Sequence, residues 1–87
     1  MVSSKVTLTN GQGLHMRPAG TFASAMGKFA SNVTVVANGK EVNGKSPMAL
    51  MAAGIPVGTE IEIKCDGADE QEALDAAVAL VESGLGE

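Results

Sequence analysis

Apolar and polar positions alternate, then recur in threes and fours, then alternate again along this chain, and each change of period marks an element. Residues 2–9 carry β-branched side chains, with Val6 and Leu8 two apart, which predicts a strand. Asn10-Gly11 and Gly13 break it and predict a turn over residues 10–14. Over residues 16–29, Ala19, Phe22, Ala23, Met26 and Phe29 recur at helical spacing and predict one buried face. Pro18 falls in the first turn of that helix, where its missing N–H costs nothing, and Gly27 weakens the last turn. Residues 32–37 read as a second strand. Asn38-Gly39 then suits a two-residue turn into a third strand over residues 40–42.

Asn43-Gly44 ends that strand. Ser46-Pro47 opens a short helix running to residue 53, with Ser46 as N-cap and Pro47 at the first helical position. Gly54 closes it, and Pro56 prevents its continuation. Residues 59–65 alternate cleanly, with Ile61 and Ile63 on one face and Glu60, Glu62 and Lys64 on the other. Asp69 is the expected N-cap of the last helix, with Glu72 as its capping-box partner. Leu74, Ala77, Val78 and Val81 form the expected buried stripe, and Gly84 the stop. The order is therefore β-α-β-β-α-β-α. One-sided alternation predicts an α+β open-faced sandwich: a four-stranded antiparallel sheet covered on one face by three helices. Residues 1–87 are expected to form a single domain.

Composition narrows this. A chain of 87 residues buries only roughly 60–65% of its unfolded surface, so a compact two-layer design is required. The chain is 45% hydrophobic, with no Trp or Tyr and two Phe, so Val, Ile, Leu, Met and Ala must build the core. Six basic residues stand against ten acidic ones, for a net charge of −4. That argues against nucleic acid, whose backbone needs clustered Lys and Arg, and stacking aromatics are absent as well. Cys65 is the only cysteine, so no internal disulfide or metal cluster is expected, and no cofactor is implied. Its place at a strand end predicts a small buried hydrophobe. No stretch has signal-peptide or membrane-span length, so the expectation is a monomeric cytoplasmic protein with no membrane insertion.

The chemistry-bearing residue is His15, the only histidine. It falls where the turn meets the first helix, facing free backbone N–H groups and the positive end of the helix dipole. Arg17 follows two residues later, and its planar fork suits a pair of phosphate oxygens. One nucleophilic imidazole thus stands beside a phosphate site, which points to a phosphoryl group carried on His15 itself.

The run Gly13-Leu14-His15-Met16-Arg17-Pro18-Ala19 resembles the active-site signature of the HPr family, the phosphocarriers of the bacterial sugar phosphotransferase system. A second run, Asn43-Gly44-Lys45-Ser46-Pro47-Met48-Ala49-Leu50-Met51, resembles that family's regulatory serine segment. The likeness spans essentially the whole chain. It implies that the histidine matched by His15 accepts phosphate through Nδ1 from phosphoenolpyruvate-charged Enzyme I and donates it to enzyme IIA domains of sugar transporters. Arg17 matches the residue expected to balance the phosphate charge.

For Ser46 two readings stand. It is complete as a helix N-cap, and the resemblance adds regulatory phosphorylation by an HPr kinase/phosphorylase, whose product serves a catabolite-repression regulator. Met48, Leu50 and Met51 match the patch with which the family docks its partners. Flexible methionines suit several partners in turn. Two positions depart from the family pattern. Met16 stands where alanine is commonest, and Pro47 follows Ser46 where an aliphatic residue is usual.

Three other readings stand beside this one. An acylphosphatase-like hydrolase has similar size and an arginine-bearing loop, but neither of its surrounding motifs is present. A binding-only regulatory paralogue would lack the histidine, which this chain has. A nitrogen-related branch of the phosphotransferase family shares the His15 motif.

Overall fold

The computed structural model describes residues 1–9 and 16–85. The turn expected over residues 10–14, with Gly11 and Gly13, lies outside the described residues, as does His15. The elements are β1 (Val2–Thr7), α1 (Met16–Gly27), β2 (Asn32–Ala37), β3 (Lys40–Asn43), α2 (Pro47–Ala53), β4 (Glu60–Asp66) and α3 (Glu70–Glu82). The strands form one antiparallel sheet in the order β1-β4-β2-β3.

Register follows the alternation. Val6 pairs with Ile61, Val35 with Ile63, and Val33 with Cys65, which places all six on one face. That face is buried, and the helices cover it with Ala19, Phe22, Ala23 and Met26 from α1, Leu50 from α2, and Ala73, Leu74, Ala77 and Val81 from α3. Phe22 is the one fully buried aromatic ring, and its burial is worth roughly 1.5–3 kcal/mol. The other face carries Lys5, Thr34, Glu41, Glu62 and Lys64, with Lys64 3.7 Å from Glu41.

Local chemistry sets the turns. Asn38 and Gly39 take φ of 52° and 79°, and Ala37 pairs with Lys40, giving the primed two-residue hairpin expected from Asn-Gly. α2 begins and ends where its caps require. Ser46 Oγ accepts the Ala49 N–H at 3.2 Å, and Gly54 closes the helix at φ 61°. α3 ends in a Schellman pair, with Leu85 N–H on Leu80 O at 3.0 Å and Gly84 N–H on Val81 O at 3.1 Å.

Several boundaries differ from expectation. β1 stops at Thr7 rather than residue 9, because Leu8 pairs instead with the loop before β4. Its N–H donates to Thr59 O at 3.0 Å, and its carbonyl accepts from Gly58 N–H at 2.8 Å. α1 stops at Gly27, two residues early, in keeping with glycine's poor helix propensity. β3 runs one residue further, to Asn43.

The capping box at Asp69 does not form. Its carboxylate reaches across to the α1–β2 connection and accepts the N–H groups of Ala30 and Ser31, each at 2.9 Å, together with the Ser31 hydroxyl. Ser31 is fully buried, and an unpaired buried hydroxyl is costly, so this non-local demand outweighs the local cap. Glu70, not Glu72, serves the turn, accepting the Gly67 N–H at 3.2 Å. Val78 is only half-buried; Ala73 takes the inner place on the α3 stripe.

Candidate functional site

Two helix starts carry the candidate residues. Arg17 is the second residue of α1 and is exposed, while Pro18 and Ala19 beside it are buried. The ring of Pro18 anchors the helix start with its φ already set for the first turn, and this leaves the guanidinium in solvent. No acidic residue occupies that first turn. An anion approaching Arg17 therefore meets no competing carboxylate from its own helix.

α2 packs against α1. A second tie runs from Lys45, whose Nζ donates to the carbonyl of Phe29 at 2.6 Å, just beyond the end of α1. The Ser46 segment is thus held to α1 by packing and by a charge-assisted hydrogen bond. Ser46 itself is half-buried, with its hydroxyl engaged as the N-cap.

The residues of the expected docking patch separate. Met48 and Met51, three apart on α2, are 76% and 37% exposed. Leu50 is fully buried in the core. Its expected place in the patch is therefore corrected: a seven-residue helix has one inward stripe, and Leu50 supplies it. Ile55 is buried as well.

One exposed apolar residue was not anticipated. Val57 is 49% exposed, in the loop between α2 and β4. The available signal was its setting between Pro56 and Gly58, in a turn too short to bury its own side chain. The two hydrogen bonds to Leu8 pin this loop beside the chain as it leaves β1 toward residue 10.

Cys65 is buried, as expected, and burial followed by the charges of Asp69 and Glu70 pushes its thiol pKa up, so it is a poor nucleophile. Among the described residues, no group of three His, Cys, Asp or Glu side chains could hold a metal ion. No described helix is long and apolar enough to cross a membrane.

Comparison with known proteins gives a consistent result. The family model described as "PTS HPr component phosphorylation site" matches residues 2–83. The phosphocarrier protein HPr of Mycoplasma capricolum is 45% identical over 76 residues, covering 87% of this chain and 85% of that protein. The HPr-like protein Crh of Bacillus subtilis is 42% identical over 82 residues, covering 94% and 96%. The crystal structure of HPr from Thermoanaerobacter tengcongensis superposes with a TM-score of 0.95 at 39% identity, covering 100% of this chain and 98% of that one.

Proposed function

Because this chain belongs to the HPr family of phosphotransferase-system components, we propose that it is a cytoplasmic, monomeric phosphocarrier, not a free-standing enzyme, with His15 as the carrier residue. The observation that supports this most is the junction ahead of α1: a single histidine, then an exposed Arg17 and a buried Pro18, in a helix start without acidic residues. The neutral imidazole attacks phosphorus, the N–P bond forms, and the bond to the donor group on Enzyme I breaks. The second transfer reverses these roles toward an enzyme IIA domain. Arg17 balances the added negative charge, and the attack requires an unprotonated imidazole nitrogen. The stabilisation stays modest, because a carrier has to release what it accepts.

Met48, Met51 and Val57 serve in this reading as the apolar docking surface, and Ser46 as the regulatory position. A phosphoryl group on Ser46 would add roughly two negative charges next to that surface and oppose an acidic partner. The binding-only reading suggested by likeness to Crh is the weaker one, because His15 is present. The deciding experiment incubates the protein with phosphoenolpyruvate and Enzyme I, followed by mass spectrometry. An acid-labile phosphate on His15 is the expected result, and its absence under conditions that charge Enzyme I would overturn the reading.

A further inference from the structure

One edge of the sheet carries a feature that the phosphocarrier reading does not use. β1 is an edge strand of the sheet, and among the described residues no segment pairs with its outer edge. Such an edge presents unpaired N–H and C=O groups and is ordinarily guarded by charge, proline or a bulge. β1 has neither proline nor bulge, and Lys5, its one charged residue, sits in register with Glu62 on the open face of the sheet. On the helix-covered side, the edge borders a groove of about 560 Å³ whose lining includes Val2, Ser4, Leu74, Asp75, Val78 and Glu82.

The α3 wall of this groove is ordered. Asp75, Val78 and Glu82 follow one stripe of the helix at spacings of three and four, in the sequence acid, apolar, acid. Val78 is half-exposed because it faces this groove and not the sheet. The wall is also strongly anionic, since no Lys, Arg or His occurs after Lys64.

We propose that the groove between the edge of β1 and α3 is a docking site for an extended, lysine-bearing segment of a partner protein, which joins the sheet as a fifth strand. Backbone hydrogen bonds to β1 would supply affinity, and alternate side chains facing α3 would supply specificity. The helix rise sets Asp75 and Glu82 about 10 Å apart along the axis. Positions i and i+4 of an added strand are about 13 Å apart, a difference that flexible lysine side chains span. The middle position, i+2, then meets Val78 and calls for a valine. The matching pattern is Lys-x-Val-x-Lys. This site is independent of the phosphocarrier reading.

The test is a titration of the ¹⁵N-labelled protein with the peptide acetyl-Thr-Lys-Thr-Val-Thr-Lys-Thr-amide, followed by amide chemical shifts. A control peptide carries Glu in place of both Lys. The expected result is shifts along β1 together with Asp75, Val78 and Glu82, no binding of the Glu peptide, and a loss of about tenfold or more in affinity for the double variant Asp75→Lys, Glu82→Lys. Both positions are exposed, so the variant should fold. Three outcomes would overturn the proposal. One is an absence of shifts at millimolar peptide. Another is shifts that omit β1, which would reduce the contact to surface ion pairing. The third is a doubled mass of the protein alone by light scattering with β1 at the contact, which would make the occupant a second copy.

Discussion

The face formed by α1 and α2 and the face formed by α3 differ most in charge. Glu41 is the only acidic residue before Glu60, whereas five of the six basic residues precede Glu60. From Glu60 onward the pattern reverses, with nine acidic residues and only Lys64 to oppose them. Net charge alone, at −4, hides this division. The first face presents no carboxylate of its own helices to an approaching anion, whereas the carboxylates of the second repel one. The division also follows the fold. α1 and α2 contain no acidic residue at all, while α3 has Glu70 and Glu72 in its first turn, where the helix dipole favours them.

If the first face is the working one, the largest effect comes from its nucleophile. His15→Ala is expected to abolish phosphate uptake from Enzyme I while leaving thermal stability near wild type. Residual uptake in the mass spectrum would move the carrier role to another residue. Arg17→Glu sets an anion against the incoming anion on an exposed site. Loss of a charge-assisted hydrogen bond, at about 1.5–3 kcal/mol, corresponds to roughly tenfold to hundredfold slower transfer. The melting temperature should hardly move, because Arg17 lies outside the core. Transfer within a few-fold of wild type would remove Arg17 from the phosphate site.

The same comparison shows what was legible in the sequence. Elements governed by near neighbours were readable to the residue: the Asn38-Gly39 hairpin, and α2 between Ser46-Pro47 and Gly54. The candidate residues rest on a local signal too, a lone histidine two residues before Arg-Pro. Distant demands were not readable. Asp69 looks like an N-cap, but Ser31, 38 residues earlier, claims its carboxylate. The placement of β4 between β1 and β2 depends on which faces meet, which no window of sequence contains. Leu50 and Met48 are both apolar on a short helix, and only the packing of α1 decides which one turns inward.

On the second face, Gly67→Ala tests stability without touching transfer. A Cβ there would fall 2.6 Å from Ser31 Cα and 2.7 Å from Ser31 Oγ, and φ is +156°. The overlap is expected to cost about 1–3 kcal/mol, lowering the melting temperature by about 4–8 °C per kcal/mol. Unchanged phosphate uptake at a permissive temperature would confirm that the two faces are separable; a matching loss of uptake would show that they are coupled. Ser46 offers a finer contrast on the first face. Ser46→Ala removes the cap on Ala49 and should cost about 1 kcal/mol with little change in transfer. Ser46→Asp keeps a good cap and adds a charge, so it should fold normally yet accept phosphate a few-fold more slowly at low salt, with the deficit shrinking as salt rises. Equal slowing by both variants would reduce Ser46 to a structural cap.

The smallest expected effect lies where the two faces are joined. Asp69 begins α3 but holds the connection between α1 and β2, through the Ser31 hydroxyl and the N–H groups of Ala30 and Ser31. These hydrogen bonds, the Ser31 hydroxyl first, favour the ionised carboxylate and lower its pKa from the ordinary 3.8. The Gly67 N–H first, and then the Met1 ammonium 3.2 Å away, lower that of Glu70 from the ordinary 4.5. For a carboxyl whose folded pKa lies below its unfolded value, the unfolded chain binds more protons in the range between the two. The stabilisation is therefore complete at neutral pH, begins to fade as the pH falls through the ordinary carboxylate range, and is lost once it passes the folded values. Wild-type stability, measured by urea unfolding at stepped pH, should decline below about pH 5. Asp69→Asn should be less stable at pH 7 and follow a shallower decline, because only the Glu70 share of this pH-linked stabilisation remains. Parallel curves for the two proteins would mean that the Asp69 clamp contributes nothing to the acid sensitivity of the fold.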